Sequence, residues 1–284
     1  MPKVVVTGGS GKAGKACIRE FLSHGYEVCN IDRAKQPEEL CPSIQAELAD
    51  FGQALDAITT VERGPHGVDG VVHLAAIPDS RLFTNSVTFS NNVMSTYNVF
   101  EAASRLRIKN IVWASSETVL GLPFDVPPPY VPVDEEYQGR PESAYSLSKL
   151  AGEEMAKQFC RWDPDLKIIG MRFSNIMEPK DYANFRAFQD DPTARKWNLW
   201  GYIDARDAAQ AVRRGIESGL KGAHVFIIAN ADTVMLRSSQ DLLRAVFPDV
   251  PLKKKLGPNE TILSIDKARK MLGYEPEHSW RSQA

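Results

Sequence analysis

The chain is predicted to fold as a doubly wound α/β sheet of parallel strands carrying a small C-terminal lobe. Three features lead there. Strand-like and helix-like segments alternate from the first residues to about residue 230, without an internal repeat or low-complexity tract. Runs such as DGVVHLAAI and LKIIGMRF are almost continuously apolar, as strands buried on both faces must be. The rhythm lapses only near 176–200 and again from 231 onward. The expected organisation is therefore a core over 1–175, its sheet completed by about 201–230, with 176–200 and 231–284 forming the lobe.

The first strand, KVVVTG, runs into GSGKAGKA, which fits two phosphate-binding templates. As G-x-x-x-x-G-K-[ST] it is a P-loop with Gly9, Gly14 and Lys15, but the next position must offer a hydroxyl to Mg²⁺ and holds Ala16. Read with Thr7 it is T-G-x-x-G-x-x-G, with glycines at 8, 11 and 14. That pattern requires a helix, a second strand and, roughly 20 residues on, an acidic residue able to accept from a ribose. Ala16 to His24 has helical spacing, Gly25 stops it, and YEVCNID runs as a strand ending in Asp32. The dinucleotide reading is the one that fits.

The remaining elements follow in order. A short strand in IQAEL gives way to a helix near Asp50, a plausible N-cap. Asp69 to Ile77 is a strand ending in small residues, NNVMSTYNVFEAASRL a helix, and Ile108 to Gly121 a strand bearing Ser115 and Ser116 near its end. The proline-rich GLPFDVPPPYVPVDEEYQGRP is a loop over the strand ends and a candidate substrate wall. SAYSLSKLAGEEMAKQF is a helix, LKIIGMRFSNI a strand, ARDAAQAVRRGIES a helix and GAHVFIIAN a further strand.

Tyr145 and Lys149 stand one helical turn apart on one face. A tyrosine with the ordinary pKa of ~10 is a poor base near neutrality; a neighbouring ammonium favours its phenolate, and a serine hydroxyl can hold a substrate oxygen beside it. Ser116 can supply that hydroxyl.

With TGGSGKAG at 7–14, Asp32, HLAA at 73–76, the N-x-x-x-T-x-N run of Asn92, Thr96 and Asn98, ASSETVLG at 114–121, YSLSK at 145–149 and RFSNI at 172–176, most of the chain resembles the extended short-chain dehydrogenase/reductase superfamily, the NAD-dependent epimerase/dehydratase group with its Rossmann sheet. The resemblance implies Ser116 rather than Ser115 as the catalytic serine, Tyr145 as acid/base, and Lys149 on the nicotinamide ribose. It puts Gly8, Gly11 and Gly14, with Lys12 and Ala13 in the same turn, against the pyrophosphate at a helix N-terminus. Asp32 would hold the adenine ribose and favour NAD over NADP, partly offset by Arg33. Glu47 and Leu48 take the family's Asp-Leu place beside adenine, Leu74, Ala75 and Ala76 pack on the cofactor, and Asn92 is counted with the cofactor residues in a structural role.

Other candidates carry two readings each. His73 is a satisfied buried histidine more readily than a base. Ser80 contacts substrate or caps a turn. Arg172, Ser174 and Asn175 lie at a strand end facing the expected pocket, Asn175 toward substrate or nicotinamide. Arg195 pairs with an anionic substrate group or lies at the surface.

The chain lacks the G-D-G-x-x-x-R-D segment that helps nucleotide-sugar epimerases of this superfamily bind a nucleotide diphosphate, and has KWNLWGYID in that region. The lobe resembles the short one of the uronate-dehydrogenase-like branch. The expected activity is therefore NAD-dependent hydride transfer from a small sugar, sugar acid or similar polyol. A nucleotide-sugar epimerase or dehydratase and a non-catalytic NAD(P)-sensing regulator are the alternatives, the latter disfavoured because both Tyr145 and Lys149 are present.

Composition sets the outer limits. A formal charge of −2 over 284 residues offers no basic field for nucleic acid or anionic lipid. No apolar run approaches the ~20 residues needed to span a bilayer, so the expected address is cytoplasmic. Cys17, Cys29, Cys41 and Cys160 show neither metal-ligand nor disulfide-framework spacing, and no metal is expected. The triple lysine Lys253–Lys255 reads as a solvated surface run. A homodimer built through helices is expected from the resemblance.

Overall fold

The structure, a computed structural model, describes residues 1–36, 38–63, 67–78 and 82–283. Its centre is a seven-stranded parallel sheet in the order β3-β2-β1-β4-β5-β6-β9. The strands are β1 (Lys3–Thr7), β2 (Glu27–Asp32), β3 (Ser43–Gln45), β4 (Gly70–His73), β5 (Asn110–Ser116), β6 (Lys167–Phe173) and, after the short β7 (Ile176–Met177) and β8 (Ile203–Asp204), β9 (Gly222–Ile228). The order reverses between β1 and β4, and such a reversal opens a crevice beyond the strands' carboxyl ends.

The continuously apolar runs divide by pleat, since successive side chains of a strand point to opposite faces. Val4, Val6, Val72, Val112, Ile169 and Met171 join one core with α1 (Lys12–Ser23) and α5 (Ala205–Glu217). Val5, Val71, Ile111, Trp113 and Ile168 join the other, beneath α2 (Phe51–Glu62), α3 (Asn85–Arg105) and α4 (Ala144–Trp162). Helices thus cover both faces, as expected.

Several boundaries move. The first helix starts at Lys12, not Ala16, because the chain turns helical directly after Gly11. α3 begins at Asn85, six residues before the predicted start at Asn91. The strand predicted to Gly121 stops at Ser116. There the Ser116 hydroxyl accepts from Thr118 N at 3.1 Å and starts a 3₁₀ turn, Glu117–Leu120, which buries Val119 and Leu120 by helical rather than strand geometry. The predicted cap is in place: the Asp50 carboxylate accepts from Gln53 N at 2.9 Å.

Beyond the core sheet the chain is made of short pieces: 3₁₀ runs at Pro179–Phe188, Lys196–Asn198 and Trp280–Gln283, with α6 (Ser239–Val246) and α7 (Asp266–Leu272). Aromatic rings fill this part. Phe185 lies 5.5 Å from both Tyr202 and Trp280, and Tyr182 packs against Phe185 and Tyr202. The proline-rich stretch is irregular, as predicted, and is stitched to the C-terminal part by Val131 N to Pro251 O and Val133 N to Ile262 O. Lys253 pairs with Asp134 and Glu136 of that stretch, and Lys254 with Glu260 and Asp266, so two of the three lysines hold fixed surface partners. Among the described residues no helix is long and apolar enough to cross a membrane.

Candidate active site

A cleft of about 870 Å³ opens at the strand carboxyl ends. One end is built of backbone. Gly8 adopts a φ of +74°, and a Cβ there would stand 2.6 Å from Ala75 N. Gly14 lets the first turn of α1 lie against the turn that follows β1: its Cβ would come within 2.2 Å of the Gly8 carbonyl. Gly11 caps α1 without any side-chain hydrogen bond, and a Cβ there would meet only Gly8 O, at 3.4 Å. The turn therefore presents bare N–H groups at a helix N-terminus to open space, which suits a pyrophosphate.

Asp32 closes this end from the tip of β2, its carboxylate accepting from Ser10 N at 3.0 Å and Ala34 N at 3.1 Å. Gly8, Gly11, Lys12, Ala13, Gly14, Asp32, Arg33, Glu47, Leu48, Leu74, Ala75 and Ala76 all line the cleft. The Lys12 ammonium reaches across to Asp181 at 2.6 Å, tying the glycine turn to the 179–188 segment. The Glu47 carboxylate accepts from Ala49 N at 3.2 Å.

Helix α3 explains the N-x-x-x-T-x-N run. The Asn92 amide accepts from Ile77 N and donates to Ile77 O, Thr96 Oγ1 lies 3.3 Å from His73 Nε2, and Asn98 donates to Leu48 O at 2.9 Å. Each residue fixes one strand or loop that borders the cleft. Asn92 itself is buried and does not line it; Asn91 and Ser95 do. His73 is satisfied as expected, with Nδ1 2.8 Å from Thr7 Oγ1, and burial, then the Lys149 charge, push its pKa down to about 3.

The other end is built of side chains. Ser143 and Ser146 form a reciprocal capping box that starts α4 immediately before Tyr145. The depth of α4 is set at Gly152, where a Cβ would stand 2.5 Å from the Trp113 ring. Lys149, 4% exposed, donates to Ala114 O at 2.7 Å and lies 5.6 Å from the centre of the Tyr145 ring; burial lowers its pKa to about 8. Ser116, Tyr145, Lys149 and Asn175 share the cleft. A cation held over a phenol beside a hydroxyl is an arrangement able to move a proton to or from a bound alcohol.

The two serines of β5 separate by pleat. Both border the cleft, but the Ser115 hydroxyl donates to Glu153 Oε1 at 2.7 Å beneath α4, whereas the Ser116 hydroxyl accepts from Thr118 N and Oγ1. Arg172, expected to face the pocket, instead turns to Glu153 as well, through Nε at 2.8 Å and NH2 at 2.7 Å, because it sits opposite Ser115 in the sheet register. Ser174 and Asn175, just past the strand, do line the cleft.

Arg195 is not a surface residue. It is 5% exposed, stacked between the Phe188 and Trp197 rings at 5.2 and 4.8 Å, and donates to Gly201 O at 3.1 Å. It does not line the cleft; Trp197 does. Ser80 lies outside the described residues. The proline-rich stretch contributes no lining residue among those described, since its buried side chains, Phe124 and Val131 among them, pack into the core behind the cleft.

One lining group went unnoticed in the sequence. Glu117, 3% exposed, accepts from Ser174 Oγ at 2.6 Å and from Asn198 Nδ2 at 3.3 Å, and burial pushes its carboxyl pKa up to about 7 against the lowering effect of these partners and of Arg195. Its position directly after Ser116, an acid within an otherwise apolar and small-residue run, was the available signal.

The chain is similar to known proteins in sequence and in fold. The description of the NAD dependent epimerase/dehydratase family matches residues 4–229. A UDP-glucose 4-epimerase of Corynebacterium glutamicum is 26% identical, the match spanning 98% of this chain and 92% of the relative. An L-arabinose 1-dehydrogenase (NAD(P)(+)) of Haloferax volcanii is 28% identical over 87% of this chain and 95% of its own. A mutated uronate dehydrogenase has the same fold, with a TM-score of 0.69 at 23% identity, spanning 99% of this chain and 85% of that one. The chain belongs to the NAD-dependent epimerase/dehydratase family, and is an enzyme of that family.

Proposed function

We propose that this family member is an NAD-dependent dehydrogenase acting on a hydroxyl-bearing carbon of a small sugar, sugar acid or similar polyol. The observation that carries the choice of a small substrate is Trp197. It lines the cleft together with Ser174 and Asn175, and the chain on either side of it buries Phe185, Trp200 and Tyr202, Phe185 against Tyr202, a filled aromatic packing that suits a small substrate. The H. volcanii dehydrogenase, matched over nearly its whole length, supports the same reading.

NAD, when bound, supplies the acceptor for hydride. Gly8, Gly11 and Gly14 would hold its pyrophosphate and Asp32 its adenine ribose, and the Asp32 carboxylate disfavours the 2′-phosphate of NADP. Ser116 Oγ holds the substrate oxygen. The Tyr145 phenolate takes the hydroxyl proton as the carbon gives up its hydride, and the Lys149 ammonium 5.6 Å from its ring stabilises that phenolate.

A nucleotide-sugar epimerase is the second reading, favoured by the C. glutamicum relative. A panel of free sugars, uronic acids and UDP-sugars with NAD and NADP separates the two. Net formation of reduced cofactor on a free sugar is the expected result; interconversion of UDP-sugars without net reduction overturns it. The exposed Val87, Met94 and Tyr97 of α3 and Leu147 and Trp162 of α4, on two helices packed together, support a homodimer, checked by light scattering. The four free cysteines are compatible with a cytoplasmic location.

A further inference from the structure

We propose that Glu117 sets the charge class of the substrate: its carboxylate, next to Ser116 in the cleft, accepts a hydrogen bond from an uncharged polyhydroxy substrate and disfavours one carrying a carboxylate or phosphate there. This deepens the dehydrogenase reading and rests on it.

The carboxylate belongs to the cleft and its counter-cation does not. Glu117 and Ser174 are both lining residues, whereas Arg195 is held behind them between Phe188 and Trp197, its NH2 directed to Gly201 O and, at 3.4 Å, to Asn198 Oδ1. Asn198 stands between the two charges, donating to Glu117 Oε1 at 3.3 Å and to Gly201 O at 2.9 Å. A ligand therefore meets the negative member of the pair first. A carboxylate has about four acceptor sites. Ser174, Asn198 and the Asn175 backbone occupy three, which leaves capacity for one ligand hydroxyl. Like charges in a desolvated cleft repel far more strongly than in water, so an anionic substituent at this place is selected against.

The charge of Glu117 is itself adjustable, because burial pushes its pKa up to about 7. The groups facing it are Arg195, the neutral donors Ser174, Asn175 and Asn198, and the preceding residue Ser116; Tyr145 and Lys149 lie in the same cleft but act on both substrate classes alike. Discrimination against anions should accordingly strengthen from pH 6 to pH 8.

The test compares kcat/KM for neutral hexoses and pentoses with that for uronic acids of matched stereochemistry, using NAD, at pH 6 and pH 8, for the wild type and Glu117→Gln. The wild type is expected to prefer the neutral partner by roughly 100-fold at pH 8 and less at pH 6. In Glu117→Gln that ratio should fall about tenfold and lose its pH dependence. Equal or better use of uronic acids by the wild type, or an unchanged ratio in the variant, overturns the assignment of Glu117 alone. If the variant does not fold, the wild-type ratio at the two pH values decides. Absence of NAD reduction with every free sugar, neutral or acidic, overturns the dehydrogenase reading and this inference with it.

Discussion

The two ends of the cleft are built by opposite means. At the end lined by the glycine turn, bare backbone borders the cleft, and side chains matter chiefly by being absent, as at Gly11 and Gly14. At the substrate end, buried polar side chains converge from β5, the turn after β6, α4 and the 195–201 segment. Backbone recognition changes little with sequence, whereas a cluster of side chains can be retuned one residue at a time. This division lets one family share a cofactor and differ in substrate.

The sharpest way to separate the ends is Tyr145→Phe. It should keep NAD affinity within about twofold and lose turnover by roughly 10³-fold, read by cofactor fluorescence and steady-state rates; retained turnover would remove Tyr145 from the chemistry. The converse is Gly14→Ala. The clash with the Gly8 carbonyl should weaken NAD binding about 100-fold and destabilise the fold by about 1 to 3 kcal/mol, measured by calorimetry and denaturant unfolding.

Third comes pH dependence at the substrate end. Glu117 holds its proton more tightly in the folded chain, with a pKa of about 7 against an ordinary 4.5. The stability contributed by that protonation is full below about 4.5 and lost as pH rises through 7. The wild type should therefore lose about 3 kcal/mol relative to Glu117→Gln between pH 4.5 and pH 8. Parallel urea midpoints for the two proteins across that range would contradict it. The smallest effect is expected for Asp32→Ala, about a tenfold loss of NAD affinity with a narrowed preference over NADP, because the backbone of the glycine turn remains.

The same contrast decides what was legible beforehand. The sheet, its helices and the dinucleotide end follow from contiguous patterns: apolar runs, glycine spacing and an acid at the tip of the second strand. That Ser116, Tyr145 and Lys149 border one cleft was legible for the same reason. The Glu117 cluster was not, since its partners Ser174 and Asn198 lie 57 and 81 residues away. Arg172 was misdirected because the facing of a strand residue depends on register against its neighbour, here Ser115, and no local pattern records that. The 3₁₀ turn at Glu117–Leu120 escaped because its apolar residues read equally well as strand.

The trio beneath α4 has a consequence for how this protein can vary. Glu153 accepts from Ser115 and from Nε and NH2 of Arg172 while almost wholly enclosed. Removing one member of such a buried pair costs about 3 to 5 kcal/mol, whereas exchanging the set for well-packed apolar residues can be neutral. Among descendants of this chain, Ser115, Glu153 and Arg172 should thus be inherited or replaced as one unit, while Ser116, one residue further along the strand, can vary independently of that unit, answering to the cleft and to the turn it caps.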